Sequence, residues 1–116
     1  MALTMTLDQG AGHWTLRLQG ELDYGECAAF RMTIDRILRK SPPSVVIDMS
    51  GLDLLDSSGL GLLLALSKEY SASGGRLILV TNEGVSNILE LTRLSGLFSC
   101  APSLDEAEAM LADVSL

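Results

Sequence analysis

Residues 54–60 of the chain read Leu-Leu-Asp-Ser-Ser-Gly-Leu. They follow a continuous β-branched run at residues 45–47, which is typical of a strand buried on both faces. They precede a leucine-rich segment with helical spacing that ends at residues 73–75, Ser-Gly-Gly. Residues 54–60 are therefore predicted to join a buried strand to a helix, which indicates an α/β fold. The predicted inner face of that helix comprises Leu60, Leu63, Leu64 and Ser67.

The segments before this junction predict a hairpin and a helix. Residues 3–7 and 14–18 alternate apolar and polar side chains, as in a half-exposed antiparallel hairpin. Residues 20–23, Gly-Glu-Leu-Asp, are predicted to form a turn that leads into a helix, with Asp23 and Glu26 at capping-box spacing. That helix is predicted to end at Ser41-Pro42-Pro43 and to carry Cys27, Phe30, Ile34, Ile37 and Leu38 on its inner face.

The segments after the leucine-rich helix continue the alternation. Residues 77–80 predict a second buried strand, and residues 97–98, Leu-Phe, are a weaker strand candidate. Ser103 and Glu106 have capping-box spacing and open a last helix. One face of the first helix in this part of the chain carries Val85, Ile88, Leu89 and Thr92, and one face of the last helix carries Leu104, Ala107, Met110, Leu111 and Val114.

The order of elements predicts an α/β fold with a mixed sheet of four to five strands and about four helices. Its centre is parallel, because strands that alternate with helices pair through crossover connections. The N-terminal hairpin adds an antiparallel edge. The length of 116 residues, 47% of them hydrophobic, fits one domain over residues 1–116 with a core of its own.

Composition excludes several classes of function. Eight Lys and Arg against fifteen Asp and Glu give a formal net charge of -7, which supplies no basic patch for nucleic acid or for an anionic membrane. The N-terminus has no signal-peptide pattern, and the apolar run at residues 60–66 is too short to span a bilayer. We therefore expect a soluble, cytoplasmic protein, in which Cys27 and Cys100 are half-buried, reduced thiols.

The sequence predicts no catalytic residue, no metal site and no cofactor. His13 is the only histidine and has no nucleophile near it in sequence, and residues 55–59 lack the first glycine of a nucleophile elbow. Two separated cysteines and one histidine do not make a metal site. Gly59 and Gly61 are not followed by the lysine of a phosphate loop. We expect these glycines to let the helix start pack closely on a neighbouring strand.

Ser57 is the candidate functional residue, and two interpretations of it are open. Ser57 and Ser58 can cap the helix start, or a hydroxyl at the carboxyl end of a buried strand can serve as a site in the field of the helix N-terminus. The strands that end at residues 20–21 and near Met49 are predicted to finish at one rim, which places Asp23 near Asp56 and Ser57. A phosphate on Ser57 would add about -1.5 to -2 charge to that acidic rim and oppose a docked partner.

Five segments of the chain match one known pattern. They are residues 18–23 (Leu-Gln-Gly-Glu-Leu-Asp), 45–50 (Val-Val-Ile-Asp-Met-Ser), 56–61 (Asp-Ser-Ser-Gly-Leu-Gly), 74–75 (Gly-Gly) and 94–98 (Leu-Ser-Gly-Leu-Phe). With these segments the chain resembles, nearly from end to end, the STAS domain and within it the bacterial anti-sigma factor antagonists.

This resemblance implies a regulatory switch. Ser57 would be phosphorylated by an anti-sigma factor that is a serine kinase of the histidine-kinase-like ATPase fold. The unphosphorylated form would bind that kinase and release the sigma factor, and a PP2C-type phosphatase would reset the system. Asp23, Asp56, Ser58 and Gly59 would form the partner-binding surroundings of Ser57.

One departure and one alternative accompany the resemblance. Such chains often carry Pro-x-Val after the fourth strand, whereas residues 82–85 here are Asn-Glu-Gly-Val, which affects the expected partner and not the fold. A STAS subunit of a phospholipid ABC transporter, which packs on an ATPase and needs no phosphorylation, also fits a chain of this size.

Overall fold

Five strands form one sheet in the order in which they occur in the sequence. The computed structural model describes residues 2–112. The first strand pairs antiparallel with the second and the other pairs are parallel, which confirms the predicted mixed sheet. The strands are β1 (Leu3–Gln9), β2 (Trp14–Leu22), β3 (Ser44–Leu55), β4 (Arg76–Val80) and β5 (Ser99–Ala101). The α-helices in the described chain are α1 (Cys27–Lys40), α2 (Ser57–Ser73), α3 (Glu83–Leu91) and α4 (Leu104–Ala112).

The helices cover the sheet unequally. Each crossover from β2 to β5 moves one strand further in the same direction, so right-handed connections place α1, α2 and α3 on one face. Val45 and Ile47 of β3 belong to the large core under these helices. Val46 belongs to a smaller core that α4 covers on the opposite face through Ala107. The prediction that residues 45–47 are buried on both faces is confirmed.

Two strands extend further than the sequence indicates. Residues 20–22 continue β2 and do not form the predicted turn. Gly20, at φ +101°, pairs with Leu52 of β3, and the register shifts before Glu21 pairs with Leu54. Strand β3 does not end near Met49 but at Leu55. The polar residues of β3 interrupt the apolar pattern by which a strand is recognised in a sequence. They are tolerated because the buried Asp48 carboxylate accepts hydrogen bonds from the Arg17 Nε, at 3.3 Å, and from the Ser50 hydroxyl, at 2.7 Å.

The helix boundaries agree with the sequence. Ser41, at φ +51°, ends α1, and Gly74, at φ +80°, ends α2. The Glu106 N–H donates to the Ser103 hydroxyl at 3.1 Å, so the predicted cap of α4 is confirmed. Val114, which was assigned to the inner face of α4, lies outside the described residues.

Two further predictions are wrong, one about a strand and one about part of a helix face. Residues 97–98 are not a strand: a 3₁₀ turn occupies Ser95–Leu97, and β5 begins only at Ser99. The inner face of α2 consists of Leu60, Leu63, Leu66 and Tyr70 with Gly59, whereas Leu64 and Ser67 are only half-buried. The Tyr70 hydroxyl donates to the Pro42 carbonyl at 2.9 Å, which is why a tyrosine is tolerated in this core.

Candidate functional site

The carboxyl ends of β2 and β3 meet at one rim of the sheet. Leu22 is paired with Leu55, and the Asp56 N–H donates to the Leu22 carbonyl at 3.2 Å. A Cβ on Gly59 would lie 2.6 Å from the Leu22 Cγ, so the absence of a side chain allows α2 to begin against β2. The close packing expected for Gly59 is confirmed. The same expectation is wrong for Gly61, because a Cβ there would meet nothing within 4 Å.

Asp56 is the N-cap of α2. Its Oδ1 accepts hydrogen bonds from the Ser58 N–H at 3.0 Å, from the Gly59 N–H at 3.2 Å and from the Ser58 hydroxyl. Its Oδ2 accepts from the Tyr24 N–H at 3.0 Å, which ties the start of α2 to the segment after β2. The hydrogen bond from the Ser58 hydroxyl, followed by the one from the Gly59 N–H, holds the pKa of Asp56 below its ordinary value of 3.8.

Ser57 is the first residue of α2 and is exposed. Across residues 2–112 its hydroxyl makes no hydrogen bond, in contrast to Ser58, which donates to Asp56. The interpretation that the two serines cap the helix is therefore wrong, because the Asp56 carboxylate performs this role. The exposed Ser57 hydroxyl is therefore not needed to cap the helix and is accessible to another molecule.

Asp23 lies on the same rim, as expected from the strand order. It is the N-cap of a 3₁₀ turn, Tyr24–Glu26, that precedes α1, and its Oδ1 accepts from the Glu26 N–H at 3.2 Å. The next residue, Tyr24, is the one whose N–H reaches Asp56. The structure thus brings Asp23 into the surroundings of Asp56, Ser58 and Gly59, while the roles of these residues in binding a partner remain predictions.

Ser57 borders an open groove between the first turns of α1 and α2, with a volume of about 390 Å³. Its walls are mostly apolar, and the Tyr24 side chain is 81% exposed. Four of its lining residues were not predicted from the sequence: Tyr24, Arg31, Leu62 and Ala65. The signal for the last two was a second stripe on α2 beside its buried face. This α1–α2 groove is lined by Tyr24, Cys27, Arg31, Ser57, Ser58, Gly61, Leu62 and Ala65.

His13 lies far from Ser57. It directly precedes β2, whereas Ser57 follows the carboxyl end of β3, so the length of the parallel pair separates them. The His13 Nε2 is 3.4 Å from Glu108 Oε2 on α4. The geometry does not support His13 as a base for Ser57. Within residues 2–112 no three side chains of His, Cys, Asp or Glu are grouped as metal ligands.

Asn82 opens the segment that departs from the Pro-x-Val pattern. Its Oδ1 accepts from the Val85 N–H at 2.8 Å and caps α3. Its Nδ2 donates to the Leu52 carbonyl at 2.8 Å and to the Ser50 carbonyl at 3.3 Å. These carbonyls lie in the part of β3 that continues past its pairing with β4. Asn82 therefore braces the stretch of strand that leads to Ser57.

The two cysteines are free and differ in exposure. Cys27 is half-buried, as expected, whereas Cys100 is exposed, so its predicted burial is wrong. The Cys27 thiol donates to the Asp23 carbonyl at 3.3 Å. None of the helices described between residues 2 and 112 has the length and apolar character needed to cross a membrane.

Comparison with known proteins points to one family. Residues 4–107 match the family model of the STAS domain. A Paenibacillus polymyxa protein named anti-sigma F factor antagonist is 30% identical over 118 residues, covering 100% of this chain and 98% of that protein. The crystal structure of an anti-sigma factor antagonist from Mycobacterium paratuberculosis superimposes with a TM-score of 0.86 at 26% identity, covering 97% of this chain and 96% of that one. The phosphorylated form of Bacillus SpoIIAA shares the fold, with a TM-score of 0.71 at 24% identity over 93% of this chain and 99% of that one.

Proposed function

The chain belongs to the STAS domain family, and we propose that it is an anti-sigma factor antagonist switched by phosphorylation of Ser57. In the unphosphorylated state the α1–α2 groove binds an anti-sigma factor that is a serine kinase of the histidine-kinase-like ATPase fold, and the sigma factor is released. Phosphorylation at Ser57 stops this binding, and a PP2C-type phosphatase restores it. The switch operates in the cytoplasm, where sigma factors act.

The main support for this proposal is the state of the Ser57 hydroxyl, which is exposed beside the groove and makes no hydrogen bond within residues 2–112. Because Asp56 caps the helix alone, a group attached to the Ser57 oxygen displaces no internal contact. Modification can therefore change the surface without changing the fold, which is what a reversible label requires.

The groove has the character of a protein-docking surface. Tyr24, Leu62 and Ala65 offer apolar area at its walls, and tyrosine is a residue type enriched where proteins bind each other. Cys27 and Gly61, which also line the groove, have small side chains or none. An apolar segment of the kinase can bury this area while its active site reaches Ser57 at the border.

Phosphorylation changes this surface through charge and size. The kinase transfers the γ-phosphoryl group of ATP to the Ser57 Oγ, which loses its proton, and ADP leaves. The phosphoserine carries about -1.5 to -2 charge at neutral pH, next to Asp56 and on the same rim of the sheet as Asp23. An apolar segment in the groove would then have to bury or displace a hydrated dianion. The N-terminal end of α2 tolerates the same charge through its dipole, so the domain stays folded.

The proposal is tested by the intact mass of the protein after incubation with candidate anti-sigma serine kinases of its source organism and ATP. Wild type is expected to gain the mass of one phosphoryl group, and Ser58→Ala is expected to gain it as well. Ser57→Ala is expected to gain none. An unchanged wild type with every such kinase, or equal addition to wild type and Ser57→Ala, would contradict the proposal. It would leave the transporter subunit, which needs no phosphorylation, as the better account.

A further inference from the structure

The two edges of the sheet differ in their protection. Strand β5 has three residues and is followed by Pro102, and a short strand with a nearby proline offers little to a neighbouring chain. Strand β1 has seven residues, contains no proline or lysine and pairs with β2 without a register shift. Among residues 2–112 no strand pairs with its outer edge. A long, regular edge whose residues 3–7 carry no charge is a template for another strand.

The sequence of this edge is self-complementary. Residues 3–7 read Leu-Thr-Met-Thr-Leu, which is the same in both directions. In an antiparallel pair with a two-fold axis at Met5, Leu3 faces Leu7 of the second copy, Thr4 faces Thr6, and Met5 faces Met5. Like side chains then meet on both faces, and Thr–Thr and apolar cross-strand pairs are favourable.

The exposure of β1 fits the same register. Leu3, Met5 and Leu7 are half-buried and lie against the core under α1–α3, whereas Thr4 and Thr6 are exposed. A two-fold axis perpendicular to the sheet keeps the helix layers of both copies on one face. The exposed parts of Leu3, Met5 and Leu7 would then pack against those of the second copy. The threonines would stay on the polar face of the sheet.

We propose that a second copy of this chain adds to β1, so that two five-stranded sheets form one continuous sheet with two-fold symmetry. Charge permits this pairing in spite of the net charge of -7. Asp8 is the only charged residue of β1, and in this register it faces Ala2 of the second copy, outside the five matched positions.

The dimer leaves the candidate site free. Ser57 follows the carboxyl end of β3, and the two sheets run in opposite directions across the new pair. The two α1–α2 grooves therefore open at opposite rims of the joined sheet. Dimer formation is independent of the state of Ser57, so Ser57→Asp is expected to dimerise as wild type does, and this inference can fail or hold without the proposed function.

Charged substitutions of Thr4 and Thr6 test the pairing by sedimentation velocity over a concentration series up to the millimolar range. Thr4→Glu with Thr6→Glu, and Thr4→Lys with Thr6→Lys, each place like charges opposite each other at both pairs. We expect wild type to show a monomer–dimer equilibrium. The dimer dissociation constant of each double variant is expected to be higher by a factor of about ten or more. An equimolar mixture of the two double variants pairs Glu with Lys and is expected to regain dimers.

A charge-matched control is Thr4→Lys with Thr6→Glu, which carries opposite charges at both pairs and leaves the net charge unchanged. It is expected to dimerise at least as well as wild type, and circular dichroism verifies that each variant is folded. A wild type that stays monomeric at every concentration overturns the proposal. So do double variants that dimerise like wild type, or a mixture that stays monomeric.

Discussion

Helices α2 and α3 both begin just past the carboxyl end of a parallel strand, and one side chain caps each of them. At α3 the Asn82 amide accepts from the helix start and donates to carbonyls of β3, so the cap also holds the sheet. At α2 the Asp56 carboxylate can only accept, and its bonds come from the two helix starts beside it. The α3 cap thus braces the strand, whereas the α2 cap frees Ser57 for another molecule.

The largest loss of stability is expected at the contact between Gly59 and Leu22, where the start of α2 packs against β2. Gly59→Ala places a Cβ 2.6 Å from the Leu22 Cγ and 3.2 Å from its carbonyl oxygen. Overpacking of a core contact costs about 1–3 kcal/mol, and here the backbone cannot yield easily. We expect the free energy of unfolding in urea to fall by about 2 kcal/mol.

Gly61→Ala is the matched control, two residues further along the same helix. Its Cβ has open space, and alanine is favoured over glycine inside a helix by about 1 kcal/mol. It is expected to leave stability unchanged or to raise it. Equal losses in the two variants would show that the close approach to Leu22 does not hold the helix start.

The next largest loss of stability is expected at Asn82, which links α3 to β3. Asn82→Ala removes the cap of α3 and the donor to the β3 carbonyls, and we expect the free energy of unfolding to fall by about 1–2 kcal/mol. Asn82→Asp keeps the cap acceptor and loses the donor, which separates the two contributions. If Asn82→Asp matched wild type in urea melts, the bonds to β3 would have no stabilising role and the contrast between the two caps would disappear.

A smaller and pH-dependent loss is expected at Asp56. Its folded pKa is lowered, first by the Ser58 hydroxyl and then by the Gly59 N–H, so the ionised form stabilises the native state. That stabilisation is complete above the ordinary pKa of 3.8 and is lost as the pH falls through the lower, folded pKa. The stability difference between wild type and Asp56→Asn is therefore expected to shrink as urea melts are taken from neutral pH to below about 4. A difference that grows on acidification contradicts this assignment.

The smallest change in stability is expected at Ser57. Ser57→Ala removes a hydroxyl that has no hydrogen bond among residues 2–112, so the free energy of unfolding in urea is expected to stay within about 0.5 kcal/mol of wild type. Ser58→Ala, which loses the bond to Asp56, is expected to be less stable than Ser57→Ala. The reverse order would assign the structural role to Ser57.

Sequence patterns predicted the elements better than their ends. The hairpin, the helices and the parallel centre follow from periodicity and stop signals. The ends of β2 and β3 do not, because the register shift after Gly20 and the hydrogen bonds between Asp48 and Ser50 exist only in the folded chain. Residues 20–22 and 50–55 therefore lack the pattern of a strand while forming one.

The candidate site shows the same limit. The rim that joins Asp23, Asp56 and Ser57 followed from strand order alone. The identity of the cap did not, because three adjacent residues at positions 56–58 are all common N-cap types. The groove required knowledge that α1 lies beside α2, and the brace from Asn82 spans about thirty positions along the chain, beyond the reach of local patterns.

The Ser57 hydroxyl is proposed as the group whose phosphorylation state decides whether a partner binds beside it. Isothermal titration calorimetry of the phosphorylating kinase with wild type, Ser57→Ala and Ser57→Asp tests this directly. We predict that wild type and Ser57→Ala bind with similar affinity and that Ser57→Asp, folded by circular dichroism, binds about a hundredfold more weakly or not at all. Equal binding of Ser57→Asp and wild type would contradict the claim.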